Sequence, residues 1–260
     1  MKTIVITGST RGIGFALARE FLRRDCNVVI SGRKDESVKM AVEKLTQKFL
    51  AMQITGFVCD VTKYEQLQNL WDQACKKFGA IDIWVNNAGI SNAQSKPWEL
   101  TAEEIKSVVE TNTLGELYGT KVAMQGFIKQ GYGALYNVEG MGANGKNNNV
   151  KGLSIYGMTK AGLHYFNMCL AQEVDNPGII TGSLQPGMVL TDMVLGQYTG
   201  KPEEWEKVKG ILGVIANPLE EVAPWLVEKM LTNQKKGAHI AFGSTLRMLK
   251  KFALMPFKRK

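Results

Sequence analysis

Short runs of apolar residues alternate with longer amphipathic stretches along most of the chain. The runs are nearly continuous in valine and isoleucine, which is typical of strands buried on both faces of a parallel sheet. They predict strands at 2–7, 27–31, 54–59, 81–86, 134–138, 178–184 and 238–242. The stretches between them predict helices near 13–24, 35–50, 63–78, 102–129, 153–174 and 219–233. This alternation predicts an α/β fold with a doubly wound, seven-stranded parallel sheet in a single domain.

Three local signals refine this division of the chain. Thr101 and Glu104 form a capping-box pattern that starts the fourth helix. Glycine and asparagine dominate 140–152, which is therefore predicted to be a loop. Periodicity is weak over about 192–218, where several Gly and Pro occur, and this predicts a lid above the carboxyl edge of the sheet.

The composition fits one packed domain in a reducing compartment. The chain has 260 residues, 45% of them hydrophobic, which is enough for one α/β core. The four cysteines lie far apart, so no metal site or redox motif is expected from them. His164 and His239 lack a nucleophile motif, and structural roles are predicted for both. Without a predicted secretory signal or transmembrane run, a cytoplasmic location is expected.

Much of the net charge of +8 lies at the carboxyl end of the chain. A tail over 246–260, after a domain over 1–245, carries six cations and no acid. Leu246, Leu249 and Phe252 recur at helical spacing, so the tail can make peripheral contact with an anionic membrane. A solvated tail and a helix packed on a neighbouring subunit are the alternatives. No nucleic-acid partner is expected, because no aromatic stacking platform accompanies the charge.

A glycine-rich turn follows the first predicted strand. It reads Thr7-Gly8-Ser9-Thr10-Arg11-Gly12-Ile13-Gly14 and opens the first helix. Glycine allows a tight turn and the close approach of a pyrophosphate, which the free N–H groups of the helix N-terminus then bind. A structural turn is the alternative for three glycines alone. Their position directly after the first strand favours a dinucleotide site on a sheet of the Rossmann type.

The second predicted strand ends in Ser31-Gly32-Arg33, without the acidic residue that an NAD-specific site usually has there. Arg33 and Arg11 instead suit a 2′-phosphate through charge-assisted, bidentate hydrogen bonds, so we expect NADP(H) as cofactor. Solvated surface positions are the alternative for both. Asp60 is predicted to accept a hydrogen bond from the adenine amino group, to cap the helix that begins near Lys63, or both.

Tyr156 and Lys160 are four residues apart and therefore share one helix face. A neighbouring ammonium favours the phenolate, as does an oxidised nicotinamide, so we expect a pKa of Tyr156 below the usual value near 10. Such a tyrosine can donate a proton to a carbonyl oxygen as a hydride reaches the carbon. Together with the glycine turn, the pair predicts nicotinamide-dependent carbonyl chemistry.

These features and several further motifs resemble the short-chain dehydrogenase/reductase superfamily over almost the whole chain. The further motifs are Asp60-Val61-Thr62, Asn86-Asn87-Ala88-Gly89, Asn112, and Pro186-Gly187 with Thr191. The resemblance implies that Asn86 and Ala88 line the adenosine ribose and that Pro186 to Thr191 flank the nicotinamide. It also implies that Val61, Gly89, Lys160, Gly187 and Val189 are among the cofactor-binding residues.

The same resemblance implies a proton relay and an oligomer. Asn112 would hold a water that links Lys160 to solvent, and a polar residue easing a helix kink is the alternative. The helices at 102–129 and 153–174 would pair across two-fold axes, in a homodimer or a homotetramer.

The chain departs from the superfamily after the fifth predicted strand. Family members usually have Asn-x-Ser-Ser there, and the second Ser binds the substrate carbonyl. This chain reads Asn137-Val138-Glu139-Gly140-Met141-Gly142 instead. The candidates to replace the hydroxyl are Glu139, Asn144, Ser154 and a backbone N–H of Gly140 or Gly142. The plainer alternatives are a surface ion pair for Glu139, a turn residue for Asn144 and a helix cap for Ser154.

This string and the tract from Pro186 to Met193 resemble the chlorophyll(ide) b reductase branch, whose members carry Asn-Met-Asp-Gly at the first of these places. The resemblance implies NADPH-dependent reduction of a formyl group on a macrocycle to a hydroxymethyl group. Met188 could then form an apolar pocket wall for the hydrophobic substrate, and core packing is its alternative. Reduction of a 3-oxoacyl, steroid-like or sugar carbonyl is the enzymatic alternative. A non-catalytic, NADP-binding sensor or scaffold is the alternative from another class.

Overall fold

The structure, a computed structural model, describes residues 1–140, 142–143 and 151–243. Its strands are β1 (Thr3–Ile6), β2 (Asn27–Gly32), β3 (Ile54–Val58), β4 (Ile83–Asn86), β5 (Gly133–Val138), β6 (Ile179–Gln185) and β7 (Ala238–Ala241). Within the described residues, these seven strands form one parallel sheet in the order β3-β2-β1-β4-β5-β6-β7. The predicted doubly wound, seven-stranded sheet is confirmed.

Helices connect the strands and cover the sheet. They are α1 (Gly12–Leu22), α2 (Asp35–Thr46), α3 (Tyr64–Phe78), α4 (Ala102–Val109), α5 (Gly115–Gln130), α6 (Ser154–Glu173), α7 (Asp192–Gly196), α8 (Pro202–Ile215) and α9 (Leu219–Thr232). The segment at 192–218, where the sequence pattern is weak, thus contains the two helices α7 and α8. Pro202 lies in the first turn of α8, where its missing N–H costs nothing, and Pro218 precedes α9.

Alternation along the strands sends side chains into two hydrophobic cores. In β1, Ile4 and Ile6 pack on one face of the sheet and Val5 packs on the other, and all three are fully buried. One core includes residues of α1, α2 and α9, and the other includes residues of α3, α5 and α6. Because both faces are covered, the strands are apolar at successive positions, which is why they read as continuous runs.

The predicted fourth helix begins as expected but is interrupted. Thr101 Oγ1 accepts a hydrogen bond from the Glu104 N–H at 3.2 Å, and Glu104 Oε2 accepts one from the Thr101 N–H at 2.8 Å. This confirms the capping box. After α4, however, residues Glu110–Leu114 form a π turn before α5 continues. Such turns often occur at functional sites, and this one buries Asn112.

Among the residues that the structure covers, no helix combines the length and apolar character required to cross a bilayer. The predicted basic tail at 246–260 lies outside the described residues. Its membrane or subunit contact therefore stays a prediction. Most of the predicted loop at 140–152 also lies outside the described ranges.

Candidate active site

The glycine-rich turn lies at the carboxyl end of β1, against the residues that follow β4. Gly8 and Gly12 have φ angles of +60° and +58°, a region that favours glycine. A Cβ on Gly8 would lie 2.8 Å from the Ala88 Cα, and a Cβ on Gly14 would lie 2.5 Å from the Asn87 Nδ2. The turn is therefore packed too closely for side chains. Its backbone, at the N-terminus of α1, is the surface that a pyrophosphate can approach.

Two polar residues of the turn hold it in place. The buried Ser9 Oγ donates to the Ile6 carbonyl at 2.7 Å and accepts from the Ser31 N–H at 3.0 Å. The Thr10 methyl lies 2.7 Å from where a Cβ on Gly32 would be, so Thr10 is packed against the end of β2. Ile13 is half-buried and packs against the core from the first turn of α1. Together these contacts tie the glycine-rich turn to β1 and β2.

Two exposed arginines lie at this edge of the sheet. Arg33 directly follows β2. Arg11 Nη1 lies 3.5 Å from Asp192 Oδ2 of α7, and these side chains are 76% and 68% exposed. An exposed pair of this kind contributes little to stability, so Arg11 can exchange it for another anion. Both arginines are thus placed where sequence reasoning expected the 2′-phosphate.

The side chain of Asp60 does not cap α3. Its Oδ1 accepts from the Thr62 N–H at 3.0 Å and from the Thr62 Oγ1 at 2.9 Å. α3 begins at Tyr64, and its cap residue Lys63 makes no side-chain capping bond. The capping prediction is therefore wrong, because the carboxylate closes a turn before the helix. The adenine contact of Asp60 stays a prediction, as does a cofactor role for the buried Val61.

Asn86 is buried beneath the site. Its Oδ1 accepts from the Trp84 Nε1 at 2.7 Å, and its Nδ2 donates to the Asn137 Oδ1 at 2.9 Å. At 4% exposure, the amide is committed to the core, and the contact of Asn86 with the adenosine ribose stays a prediction. Ala88 and Gly89, which follow β4, are partly exposed at the carboxyl edge.

The tract after β6 lies against the glycine turn. The Thr191 Cγ2 is 3.8 Å from where a Cβ on Gly12 would be. Gly187 has a φ of +73°, and the Met188 carbonyl accepts from the Asn217 N–H at 2.7 Å. Pro186 and Val189 are buried, and Met188 is half-buried. The tract thus joins the dinucleotide edge to the segment that contains α7 and α8.

Tyr156, Lys160 and Asn112 come together at the carboxyl edge of β4 and β5. Lys160 Nζ donates to the Val138 carbonyl at 2.9 Å. Asn112 Nδ2 donates to the Ile90 carbonyl at 2.8 Å, and the Asn112 Oδ1 accepts from the Ile90 N–H at 2.8 Å. Asn112 therefore lies in a helix irregularity and fixes the loop after β4. The water relay itself stays a prediction.

Glu116 is a neighbour of Lys160 that sequence reasoning missed. Its carboxylate is buried, and Oε2 lies 3.9 Å from Lys160 Nζ. Burial raises the pKa of Glu116 and lowers the pKa of Lys160, and the opposite charge of each partner counteracts both shifts. Asn112, Glu116 and Thr120 recur every four residues, so one inward-facing polar stripe was the signal that could have identified Glu116.

The pKa of Tyr156 is shifted opposite to the expectation. Burial raises it to about 12, and the Glu116 carboxylate contributes in the same direction. The predicted downward shift is therefore wrong for the protein alone, since a phenol that is 9% exposed is costly to ionise. The Lys160 ammonium is directed at a carbonyl and at Glu116. A protonated phenol is the form that can donate a proton to a carbonyl oxygen, so this environment keeps Tyr156 in the form that reduction requires.

Tyrosinate absorption should show this shift directly. In the cofactor-free protein, wild type and Tyr156→Phe should give the same phenolate signal between about pH 7 and pH 10, because the Tyr156 phenol stays protonated there. The control is the same comparison in denaturant, where every phenol is solvated and wild type should show one phenolate more than Tyr156→Phe as the pH rises through about 10. An extra wild-type phenolate near pH 7, absent in Tyr156→Phe, would contradict the structure.

Gly140 takes the place of the second serine of the family motif. A Cβ on Gly140 would overlap the Tyr156 hydroxyl oxygen, so the backbone itself packs against this hydroxyl. Ser154 is the first residue of α6, and the cap position is Leu153 without a side-chain capping bond, so the cap prediction for Ser154 is wrong. Asn144 lies outside the described residues. A backbone N–H of Gly140 or Gly142 stays open as the carbonyl partner.

Glu139 is directed at a histidine. Its Oε1 lies 3.0 Å from His164 Nδ1 and accepts from the Asn167 Nδ2 at 3.3 Å. The expected ion-pair partner is thus present, but the carboxylate is 1% exposed, so the prediction of a surface pair is wrong. Since this carboxylate is engaged with His164, we do not assign it the role of the missing serine.

Known proteins resemble this chain in sequence and in fold. Residues 2–201 match the short chain dehydrogenase family. A chlorophyll(ide) b reductase of Arabidopsis thaliana is 39% identical over 230 residues, which cover 86% of this chain and 64% of the relative. A 3-oxoacyl-[acyl-carrier-protein] reductase of Chlamydia muridarum is 33% identical over 225 residues, 85% of this chain and 87% of the relative.

A solved structure, ElxO with NADP bound, superposes with a TM-score of 0.78 at 25% identity, covering 92% of this chain and 96% of the other. The chain spans 52% and 64% of the length of the two chlorophyll(ide) b reductases of Arabidopsis thaliana that it matches. The family match, the parallel sheet and the juxtaposition of Tyr156 with Lys160 agree: the chain belongs to the short-chain dehydrogenase/reductase family.

Proposed function

We propose that the protein is an NADPH-dependent reductase that converts the formyl group of a chlorophyll b-like macrocycle to a hydroxymethyl group. The observation that carries the proposal is the buried, protonated Tyr156 beside Lys160, with Gly140 packed against its hydroxyl. The similarity to chlorophyll(ide) b reductases supports the substrate class. Reduction of another carbonyl, such as a 3-oxoacyl group, is the second candidate, and the Chlamydia relative favours it.

The residues of this chain divide the chemistry among them. The glycine turn would bind the pyrophosphate, and Arg11 and Arg33 would bind the 2′-phosphate. NADPH, when bound, supplies the hydride to the carbonyl carbon. Tyr156 donates its phenolic proton to the carbonyl oxygen, which yields the alcohol. Lys160 would hold the nicotinamide ribose, and Asn112 would position the relay that returns a proton to Tyr156.

Apolar side chains around α7 support a hydrophobic substrate. Leu190, Met193 and Leu195 are 39%, 37% and 47% exposed, close in the chain to the nicotinamide-flanking tract. Neighbouring exposed apolar residues of this kind often mark a ligand-binding surface. Gly140 adds no side chain beside the Tyr156 hydroxyl. We infer that the segment with α7 and α8 covers a large, flat substrate and acts as the lid.

The substrate proposal is tested by comparing the turnover of two carbonyl compounds, one from each candidate substrate class. Purified protein and NADPH are incubated with a formyl-bearing chlorophyllide and, separately, with a 3-oxoacyl thioester. We expect NADPH oxidation with the first, together with a product that is two hydrogens heavier and carries a hydroxymethyl group. Faster turnover of the thioester would favour the second candidate. Tight NADPH binding without turnover of any carbonyl would favour the sensor alternative.

Cofactor choice is tested at Arg33. Losing one charge-assisted contact to the 2′-phosphate costs roughly 1.5–3 kcal/mol of binding free energy, which corresponds to a roughly 10- to 150-fold lower affinity for NADPH. Arg33→Ala should therefore raise the KM for NADPH by at least about tenfold and leave the KM for NADH unchanged. The control is Lys34→Ala, which removes the neighbouring exposed cation. Equal effects of Arg33→Ala on both cofactors would contradict the assignment.

We also propose a homodimer or homotetramer through α5 and α6. Ile128, Met158, Tyr165 and Met168 on these helices are 61%, 55%, 67% and 49% exposed, and a partner subunit would cover them. Light scattering gives the mass directly. A cytoplasmic location, peripheral to a membrane where the tail binds, is likewise a proposal, and the plant relatives are named as chloroplastic.

A further inference from the structure

Both histidines of the chain lie beside the buried carboxylate of Glu139. Glu139 follows β5, His164 belongs to α6 and His239 belongs to β7. The His164 Nδ1 is 3.0 Å from Glu139 Oε1, and the His239 Nδ1 is 3.6 Å from Glu139 Oε2. The ligand atoms of the three residues all lie within 4.8 Å of one another. Three separate elements thus bring two imidazoles and one carboxylate close enough together to hold one ion.

Hydrogen bonds determine which nitrogen of His239 has a lone pair. The His239 Nε2 lies 3.2 Å from Gln185 Oε1, an acceptor, so Nε2 carries the hydrogen of the neutral ring. Nδ1 is then the acceptor, and the Ser183 hydroxyl at 2.9 Å donates to it. Gln185 thereby orients the His239 ring so that its Nδ1 lone pair faces Glu139 and Ser183.

One oxygen of Glu139 has no hydrogen-bond donor. The buried Oε2 lacks a hydrogen-bond partner among the described residues, and it faces the His239 Nδ1 at 3.6 Å. The Glu139 Oε2 and the His239 Nδ1 are therefore two acceptors that face each other, and the carboxylate is only 1% exposed. Buried acceptors are costly without a donor or a cation. A cation would satisfy the Glu139 Oε2, and the His239 Nδ1 can bind the same ion when the Ser183 hydroxyl turns its hydrogen away.

We propose that Glu139, His164 and His239 form a Zn²⁺ site, in which the ion displaces the hydrogen between His164 Nδ1 and Glu139 Oε1 and releases it as a proton. Zinc bonds of about 2.0–2.1 Å in a tetrahedral arrangement separate neighbouring ligand atoms by about 3.3 Å. The two measured separations, 3.0 Å and 3.6 Å, lie on either side of this value. The histidine side chains are 27% and 41% exposed, so the ion can enter from solvent. A water or the Ser183 hydroxyl would complete the coordination.

Neighbouring groups support the ligands and link the site to the catalytic residues. Asn167 donates to Glu139 Oε1 and holds the carboxylate, as Gln185 holds His239. Glu139 also precedes Gly140, and its charge raises the pKa of Lys160. Bound Zn²⁺ would neutralise that charge. The proposed ion is separate from the carbonyl chemistry, so its binding is measurable without a substrate.

Calorimetric titration of the chelator-treated, full-length chain with Zn²⁺ tests the proposal. We expect one ion per chain, and Co²⁺ in its place should give the intense visible bands of a tetrahedral site. His239→Gln and His164→Gln should each weaken binding at least about tenfold, and Gln185→Leu should weaken it roughly 10- to 100-fold. The control is Cys75→Ser combined with Cys169→Ser, which removes two partly exposed thiols and should leave binding unchanged.

Three results would overturn the zinc site. They are wild-type protein that binds no Zn²⁺, binding that survives both histidine substitutions, and binding that is lost in the cysteine control. His239 is partly exposed, so its substitution should leave the fold intact, and thermal melting verifies this. If the wild-type chain bound no metal, Glu139, His164 and His239 would only form hydrogen bonds with one another and with their neighbours. None of these measurements depends on NADPH or a carbonyl.

Discussion

Tyr156→Phe is expected to lower carbonyl turnover about 100- to 10,000-fold while leaving NADPH binding intact. The substitution removes only the hydroxyl that donates the proton, and the ring keeps its place in α6. Tyr156 is buried and its phenol is protonated at neutral pH, so the wild-type side chain has a proton to donate and the variant has none. Turnover is measured by NADPH oxidation, and binding is measured by NADPH fluorescence.

The matched control is Tyr132→Phe, which removes the hydroxyl of a 44% exposed tyrosine between α5 and β5. Its turnover should equal that of wild type. Undiminished turnover of a true substrate by Tyr156→Phe would refute the proton-donor role and, with it, the proposed mechanism. A wild-type protein that binds NADPH and never turns over would instead indicate the sensor alternative.

Gly140→Ser, which restores the residue common in the family, is expected to reduce activity. The new Cβ would overlap the Tyr156 hydroxyl oxygen, so the phenol or the backbone must move. Overpacking of this kind costs roughly 1–3 kcal/mol in stability. A displacement of about 1 Å at a reacting group can cost roughly 100-fold in rate. We therefore expect about a 100-fold lower kcat and a lower Tm.

The control for this variant is Gly162→Ala in α6. Among the described atoms, nothing lies within 4 Å of the Cβ that it adds, and alanine favours the helix by up to roughly 1 kcal/mol. Its activity should match wild type. If Gly140→Ser were more active than wild type, a serine at this position would assist the reaction. The glycine would then not be an adaptation to the substrate.

The division between predictable and unpredictable features follows the range of the interactions. The strands could be predicted because burial on both faces leaves a continuous apolar run that is visible locally. The glycine turn could be predicted because its φ angles are a property of Gly8 and Gly12 themselves. The shared face of Tyr156 and Lys160 follows from helical spacing alone.

The predictions that needed correction concern electrostatics and side-chain direction. The expected downward shift of the Tyr156 pKa rests on Lys160 and an oxidised nicotinamide, whereas burial and Glu116 raise this pKa in the protein alone. The Asp60 side chain turned to Thr62 and did not cap α3. Desolvation depends on every element packed around a group, so no local pattern reports it.

By itself, then, the sequence determined the parallel sheet, the dinucleotide turn, the family, and the pair of Tyr156 and Lys160. Only the tertiary structure decided what surrounds them. It placed Gly140 against the Tyr156 hydroxyl and brought both histidines to Glu139. The physical reason is that β5, α6 and β7 meet through sheet order and packing, which join residues that are distant in the chain and carry no common motif.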